Sequence, residues 1–274
     1  MLRLTDHLQT NNAVLPIAAI RGGYIAAKKR LTYFTQSLLS KFQEFRSDPA
    51  TDVQSYLSPY LHFGQISMRE VLNTALMYAG ISKPEFGELI LHYKPGTHPE
   101  AAINGLLEMF EQGVIRRELS YNYCWFQPDY DSYFALPRWA IASLTDHLPD
   151  SRPYLYGLEA LETACTHDPY WNAAQQEMLH TGMMHGYMRM YWGKKILLWS
   201  KAPEDAFYTA LYLNNKYSLD GRDANSFAGV AWCFGLHDRP WGSKPVFGNV
   251  RCMNEQGLTR KFDMQTYLKR IKRF

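Results

Sequence analysis

The chain has 274 residues, a net charge of +3 and four cysteines. This length buries a substantial core, and the charge is too small to announce a nucleic-acid partner by itself. The cysteines (Cys124, Cys165, Cys233 and Cys252) form no CxxC pair, which argues against a zinc ribbon or a local iron–sulfur cluster. No metal is expected, and a reduced cytoplasmic protein is the default. The longest early apolar stretch, Val14 to Ile20, is broken by Pro16 and too short to span a bilayer, and it lacks the flanks of a signal peptide. Aromatic residues reach 15%, which fits either a ring-rich core or a site that stacks planar ligands and passes electrons between rings.

In chain order, residues 1–20 read as a loosely held arm containing Asn11, Asn12 and Pro16. Leu31, Phe34, Leu38, Phe42 and Phe45 follow at helical spacing and trace one apolar face. Pro49 should end that helix near Ser47-Asp48. Asp168-Pro169 reads as an N-cap with proline at the first helical position, opening a helix from Tyr170 to Leu179. Thr181-Gly182 breaks it, and a second helix is predicted from about Met183 to Trp199. Ala202-Pro203-Glu204-Asp205 opens another, with acids in its first turn. From Arg260 to Phe274 six basic residues face Asp263 alone, a stripe that suits phosphates or simply solvent. No strand pattern, GxGxxG or phosphate loop of the GxxxxGK[ST] type is present. The fold class is all-α, with residues 21–274 as one domain.

Several segments then resemble one family in its own order. Ser55-Tyr56-Leu57-Ser58-Pro59-Tyr60-Leu61-His62-Phe63-Gly64-Gln65-Ile66-Ser67 is similar to the flavin-phosphate segment of photolyases and cryptochromes. Arg116-Arg117-Glu118-Leu119, Thr166 to Ala173, His185 to Trp192, Leu219 to Asn225, and Trp241-Gly242 with Phe247-Gly248 match further motifs. The chain resembles the FAD-binding helical catalytic domain of class II pyrimidine-dimer photolyases. The resemblance implies FAD as cofactor, UV-damaged DNA with a flipped pyrimidine dimer as substrate, and light-driven splitting of that dimer. It also implies an N-terminal antenna domain ahead of this segment. The sequence begins only a few tens of residues ahead of the flavin segment. The expectation is that the protein works without an antenna, that a separate antenna subunit supplies it, or that the sequence is a fragment. The expected location is the cytoplasm, at the nucleoid when bound to DNA, or the nucleus in a eukaryote.

The resemblance assigns roles residue by residue. Ser55, Leu57 and Ser58, placed before a helix near Met68, would offer donors to the FAD pyrophosphate. Arg189 and Asp220 would form the ion pair beside the flavin ring. Asp223 belongs to the same flavin-binding set, and either Asn214 or Asn225 would stand near the flavin N5. Trp192, Trp171 and Trp199 would relay electrons, with Trp192 nearest the flavin and Trp199 toward solvent. The spacing of Trp192 and Trp199 is about two helical turns, roughly 10 Å along one face. Met190, Trp232 and Arg116 would meet the flipped lesion. Gln112 aligns with the family's acidic residue, and neighbouring Glu111 points about 100° away around a regular helix. Two other readings stay open: a cryptochrome-like photoreceptor, or a flavin-containing DNA-binding protein without catalysis.

Overall fold

The computed structural model describes residues 14–92, 94 and 96–273, so the expected N-terminal arm lies largely outside the described residues. Helices dominate, and the one β-type pairing among the described residues is an isolated bridge between Lys244 and Gly248. The all-α expectation therefore holds. No helix among the described residues is long and apolar enough to cross a membrane.

The apolar periodicity from Leu31 to Phe45 builds one long helical rod in three pieces. Helices Tyr24–Tyr33 and Leu39–Phe45 flank a π-helical turn, Phe34–Leu38. The wider turn lets both Leu38 and Leu39 face inward, which a regular 3.6-residue period does not do as well. Helix Ala101–Phe110 packs against Leu39–Phe45 at very short range. A Cβ on Gly105 would lie 1.8 Å from the Leu39 carbonyl oxygen, so only glycine fits that crossing. Gly105→Ala is therefore expected to cost about 3 kcal/mol of stability, read as a lower denaturation midpoint with the folded spectrum retained below it.

Asp168 caps helix Pro169–Thr181 by accepting from the Tyr170 and Trp171 backbone N–H groups, each at 3.0 Å. Gly182 ends it in the left-handed conformation at φ 67°. The following helix begins at Gly186, not at Met183. The reason is the His185 side chain, whose Nδ1 accepts from Tyr187 N at 3.2 Å and supplies the cap. Helix Pro203–Tyr217 opens on Pro203 with Glu204 and Asp205 in its first turn, as its sequence signals.

Apolar side chains gather into two cores. One runs from Ala27 to Met109, the other from Tyr133 to Ile271. Between them the structure leaves a cavity.

Candidate functional site: a cavity between two apolar cores

The cavity measures about 670 Å³ and takes its walls from both halves of the chain. That is the size of a pocket for a small organic ligand or cofactor. Ser55, Leu57, Ser58, Gln112, Arg116, Arg189, Met190, Asp220, Asp223, Asn225 and Trp232 all line it. Asn214 does not line it: it is buried, with its amide nitrogen on Ser226 Oγ and its carbonyl accepting from Ser218 Oγ. Of the two candidate asparagines, Asn225 is the one on the cavity wall, with Nδ2 donating to Asp223 Oδ1 at 2.8 Å.

The segment from Gln54 to Ser58 is a shaped loop. The first helix after Ser55 is the single turn Ser58–His62, and the helix at Met68 follows later, capped by Ser67. Ser58 thus opens a turn of its own, because Pro59 suits the second position of a helix. Tyr56 takes φ 52° beside a right-handed Leu57, a pairing of hands that turns successive N–H groups toward one side and favours anions. Arg30 holds the loop from behind, donating through Nε to Ser55 O at 2.7 Å and through Nη2 to Gln54 O at 2.5 Å. No sequence pattern flagged Arg30, which lies 25 positions away from its partner.

Arg189 and Asp220 face each other across the cavity wall. Arg189 Nη2 lies 3.7 Å from Asp220 Oδ1, close enough for charge attraction and too far for a hydrogen bond. Arg189 Nε and Asp220 Oδ1 are buried with no hydrogen-bond partner among the described residues. Buried polar atoms are rarely left so. Their unmet valences suit a planar ligand that carries both donors and acceptors.

A second group of residues lies at the same wall. The Arg116 guanidinium stands 5.5 Å from the centre of the Trp232 ring, and Met190 Sδ lies 3.8 Å from Cys233 Sγ. Glu111 is not on the wall, whereas Gln112 is. His62 Nδ1 meets Asp223 Oδ2 at 3.1 Å, and this contact with backbone and side-chain donors from Asn225 holds the Asp223 carboxyl below its ordinary range despite burial.

The three tryptophans sit behind the wall, each almost fully buried. Trp171 stacks on Trp192 with ring centres 6.3 Å apart and planes 6° from parallel, and it meets Trp199 edge-on at 5.6 Å. Trp171 therefore bridges the other two. Its Nε1 donates to Trp192 O at 3.0 Å, and Trp192 Nε1 donates to Gln175 Oε1 at 2.9 Å. None of the three lines the cavity.

His185, which the sequence marked only as the start of a motif, also lines the cavity. Burial, followed by the nearby Arg270 charge, pushes its pKa down from 6.5 to about 4. A buried neutral histidine destabilises the fold as pH falls, because the unfolded chain takes up a proton near 6.5 and the folded one only near 4. The stability lost should begin below pH 6.5, reach about 3 kcal/mol, and level off below pH 4. Urea titrations across that range should show a shallower acid slope for His185→Gln than for the wild type.

No family model matches this chain. Several solved structures share the fold. Among them are a class III photolyase from Agrobacterium tumefaciens (TM-score 0.64, 19% identity, 91% of this chain and 44% of that one), an archaeal photolyase from Sulfolobus tokodaii with two FAD molecules (0.57, 18%, 93% and 48%), and a cryptochrome from Synechocystis (0.56, 17%, 92% and 46%). The architecture is thus the helical fold of photolyases and cryptochromes. In sequence the chain is 47% identical to the deoxyribodipyrimidine photo-lyase of Methanothermobacter thermautotrophicus, over 93% of this chain and 52% of that protein. It is 43% identical to the Oryza sativa protein of that name, over 88% and 44%, and 37% identical to the Potorous tridactylus one, over 96% and 46%. The chain spans about half the length of the curated relatives it matches. Over nearly its whole length the chain is thus similar to photolyases in sequence, and to photolyases and a cryptochrome in fold.

Proposed function

We propose that the chain is the FAD-binding part of a class II photolyase that splits cyclobutane pyrimidine dimers in UV-damaged DNA. The observation that carries this reading is the shared cavity wall. Arg189 and Asp220, with unmet polar atoms, stand on the same wall as Met190, Trp232, Arg116 and Gln112. A cryptochrome-type photoreceptor needs the flavin residues alone. The aromatic, thioether and amide groups beside them favour a flipped, damaged base as second occupant.

Reduced FAD, when bound, supplies the light-absorbing electron donor for ring splitting. The residues of this chain position it and its substrate. Ser55, Leu57 and Ser58, on the loop that Arg30 anchors, present hydroxyl and backbone donors suited to the pyrophosphate. The Arg189 guanidinium offsets negative charge on the ring, and Asp220 keeps that guanidinium from turning away. Trp232 offers a flat face to the lesion and Arg116 a positive charge near its phosphates. Trp199, Trp171 and Trp192, touching in that order, would supply a path for electrons toward a bound flavin.

The test is direct. Purified protein should be yellow, hold FAD non-covalently, and repair dimer-containing DNA under blue light with reduced flavin, but not in the dark. Well-folded protein that neither contains nor takes up flavin would end this reading.

A further inference from the structure

Gln112 lies on the cavity wall, and its amide is held by Glu108, a carboxylate that does not line the cavity. Its Nε2 donates to Glu108 Oε1 at 3.0 Å, and Arg46 Nε lies 2.5 Å from that same oxygen. Glu108 sits one turn earlier on the helix and is only 5% exposed. A carboxylate held by a guanidinium offers acceptors only, so chemistry decides which end of the amide faces it. The nitrogen must point inward. The carbonyl oxygen is what remains for the cavity.

The local backbone supports this arrangement. Residues Glu111–Arg116 form a π-helical turn, the kind of single-turn widening that shifts side chains around a helix. Within it Glu111 Oε1 pairs with Arg116 Nε at 2.8 Å, which engages the one carboxyl adjacent to Gln112 in sequence. Gly113 makes room for Met68, since a Cβ there would fall 2.5 Å from Met68 Cε. The charged groups about the amide are Glu108, Arg46, which itself lines the cavity, and the Glu111–Arg116 pair on its own turn. Arg117, Arg189, Arg251, His62, His185, Asp220 and Asp223 line the same cavity.

We propose that Arg46 and Glu108 are positioning residues that fix the Gln112 amide with its nitrogen inward, offering its oxygen as an acceptor to the damaged base. This inference rests on the photolyase reading. An outward acceptor complements an N–H group of a pyrimidine, either the ring imide of thymine or the amino group of cytosine. It gives the site a hydrogen-bond preference without a titrating group.

Two measurements on flavin-loaded protein test it, both as dark affinity for a dimer-containing oligonucleotide against its undamaged counterpart. In the first, Gln112→Met and Glu108→Gln should each weaken selective binding several-fold. The double variant should be no weaker than Gln112→Met alone, because Glu108 acts through Gln112. In the second, Gln112→Glu places two carboxyls in contact, so the new one should titrate at least about one unit above an ordinary glutamate. Selective affinity should then change with pH, and adding Glu108→Gln should move that midpoint back down. Wild-type binding should show no such titration. Additive losses, or a midpoint that Glu108→Gln leaves in place, overturn the positioning role. Failure of Glu108→Gln to fold leaves the Gln112→Glu midpoint to decide: a value in the ordinary range overturns it. Wild-type protein that holds flavin but does not prefer damaged DNA overturns the photolyase reading, and this assignment with it.

Discussion

Trp171→Phe is expected to slow photoreduction of oxidised flavin by at least an order of magnitude. Trp171 is the member of the trio that touches both others, stacked on Trp192 and edge-on to Trp199. Electron transfer between rings falls steeply with the gap, and a phenyl ring is far harder to oxidise than an indole. The substitution therefore breaks the path at its bridge. It also removes the Nε1 donor to Trp192 O and leaves a small void, so a stability loss of about 1–2 kcal/mol should accompany it. The measurement is flavin photoreduction under steady blue light with an external reductant, beside repair by protein reduced chemically beforehand. Repair by the reduced protein should persist, since Trp171 does not line the cavity. Photoreduction as fast as wild type would show that electrons enter by another route.

Arg189→Leu should weaken FAD binding by about 10- to 100-fold. The guanidinium carries an unmet Nε aimed into a buried setting, and a charge-assisted hydrogen bond there is worth about 1.5–3 kcal/mol. Its loss also strands the Asp220 carboxylate, which is 15% exposed and has no other ion-pair partner among the described residues. Full burial would make such a stranded charge cost more. Asp220→Asn should be milder, because the guanidinium stays and the amide still accepts. Equilibrium dialysis of flavin against refolded apoprotein measures both. Equal affinities for the wild type and Arg189→Leu would remove Arg189 from the cofactor site.

Much of this was legible in the sequence where the signal is local. The Asp168-Pro169 start and the Gly182 stop are short-range backbone chemistry, and both stand where they were expected. The ordered motifs led to a set of residues that mostly share one cavity, the three tryptophans and Asn214 excepted, because a resemblance carries long-range information that periodicity lacks. The misplacement at Met183 came from His185, an uncommon capping residue that local patterns do not single out. The two π-helical turns were illegible for a different reason. Each depends on what packs against it, as Met68 does on Gly113, and the apolar spacing alone fits a regular helix. Arg46 with Glu108, and Gln54 with His185, join residues 62 and 131 positions apart, beyond the reach of any window.

The two apolar cores have a bearing on how the molecule comes apart. Each gathers its own set of side chains, one ending at Met109 and the other starting at Tyr133. The cavity occupies part of the ground between them, crossed by polar links such as Gln54 with His185 and His62 with Asp223. A ligand in that space touches both halves at once and so couples their melting. At a concentration 100 times its Kd it adds about 2.7 kcal/mol to the native state. With the cavity emptied that coupling is lost, and a broadened calorimetric transition is the expected result. On the proposed reading, cofactor content should therefore set calorimetric cooperativity as much as chemistry.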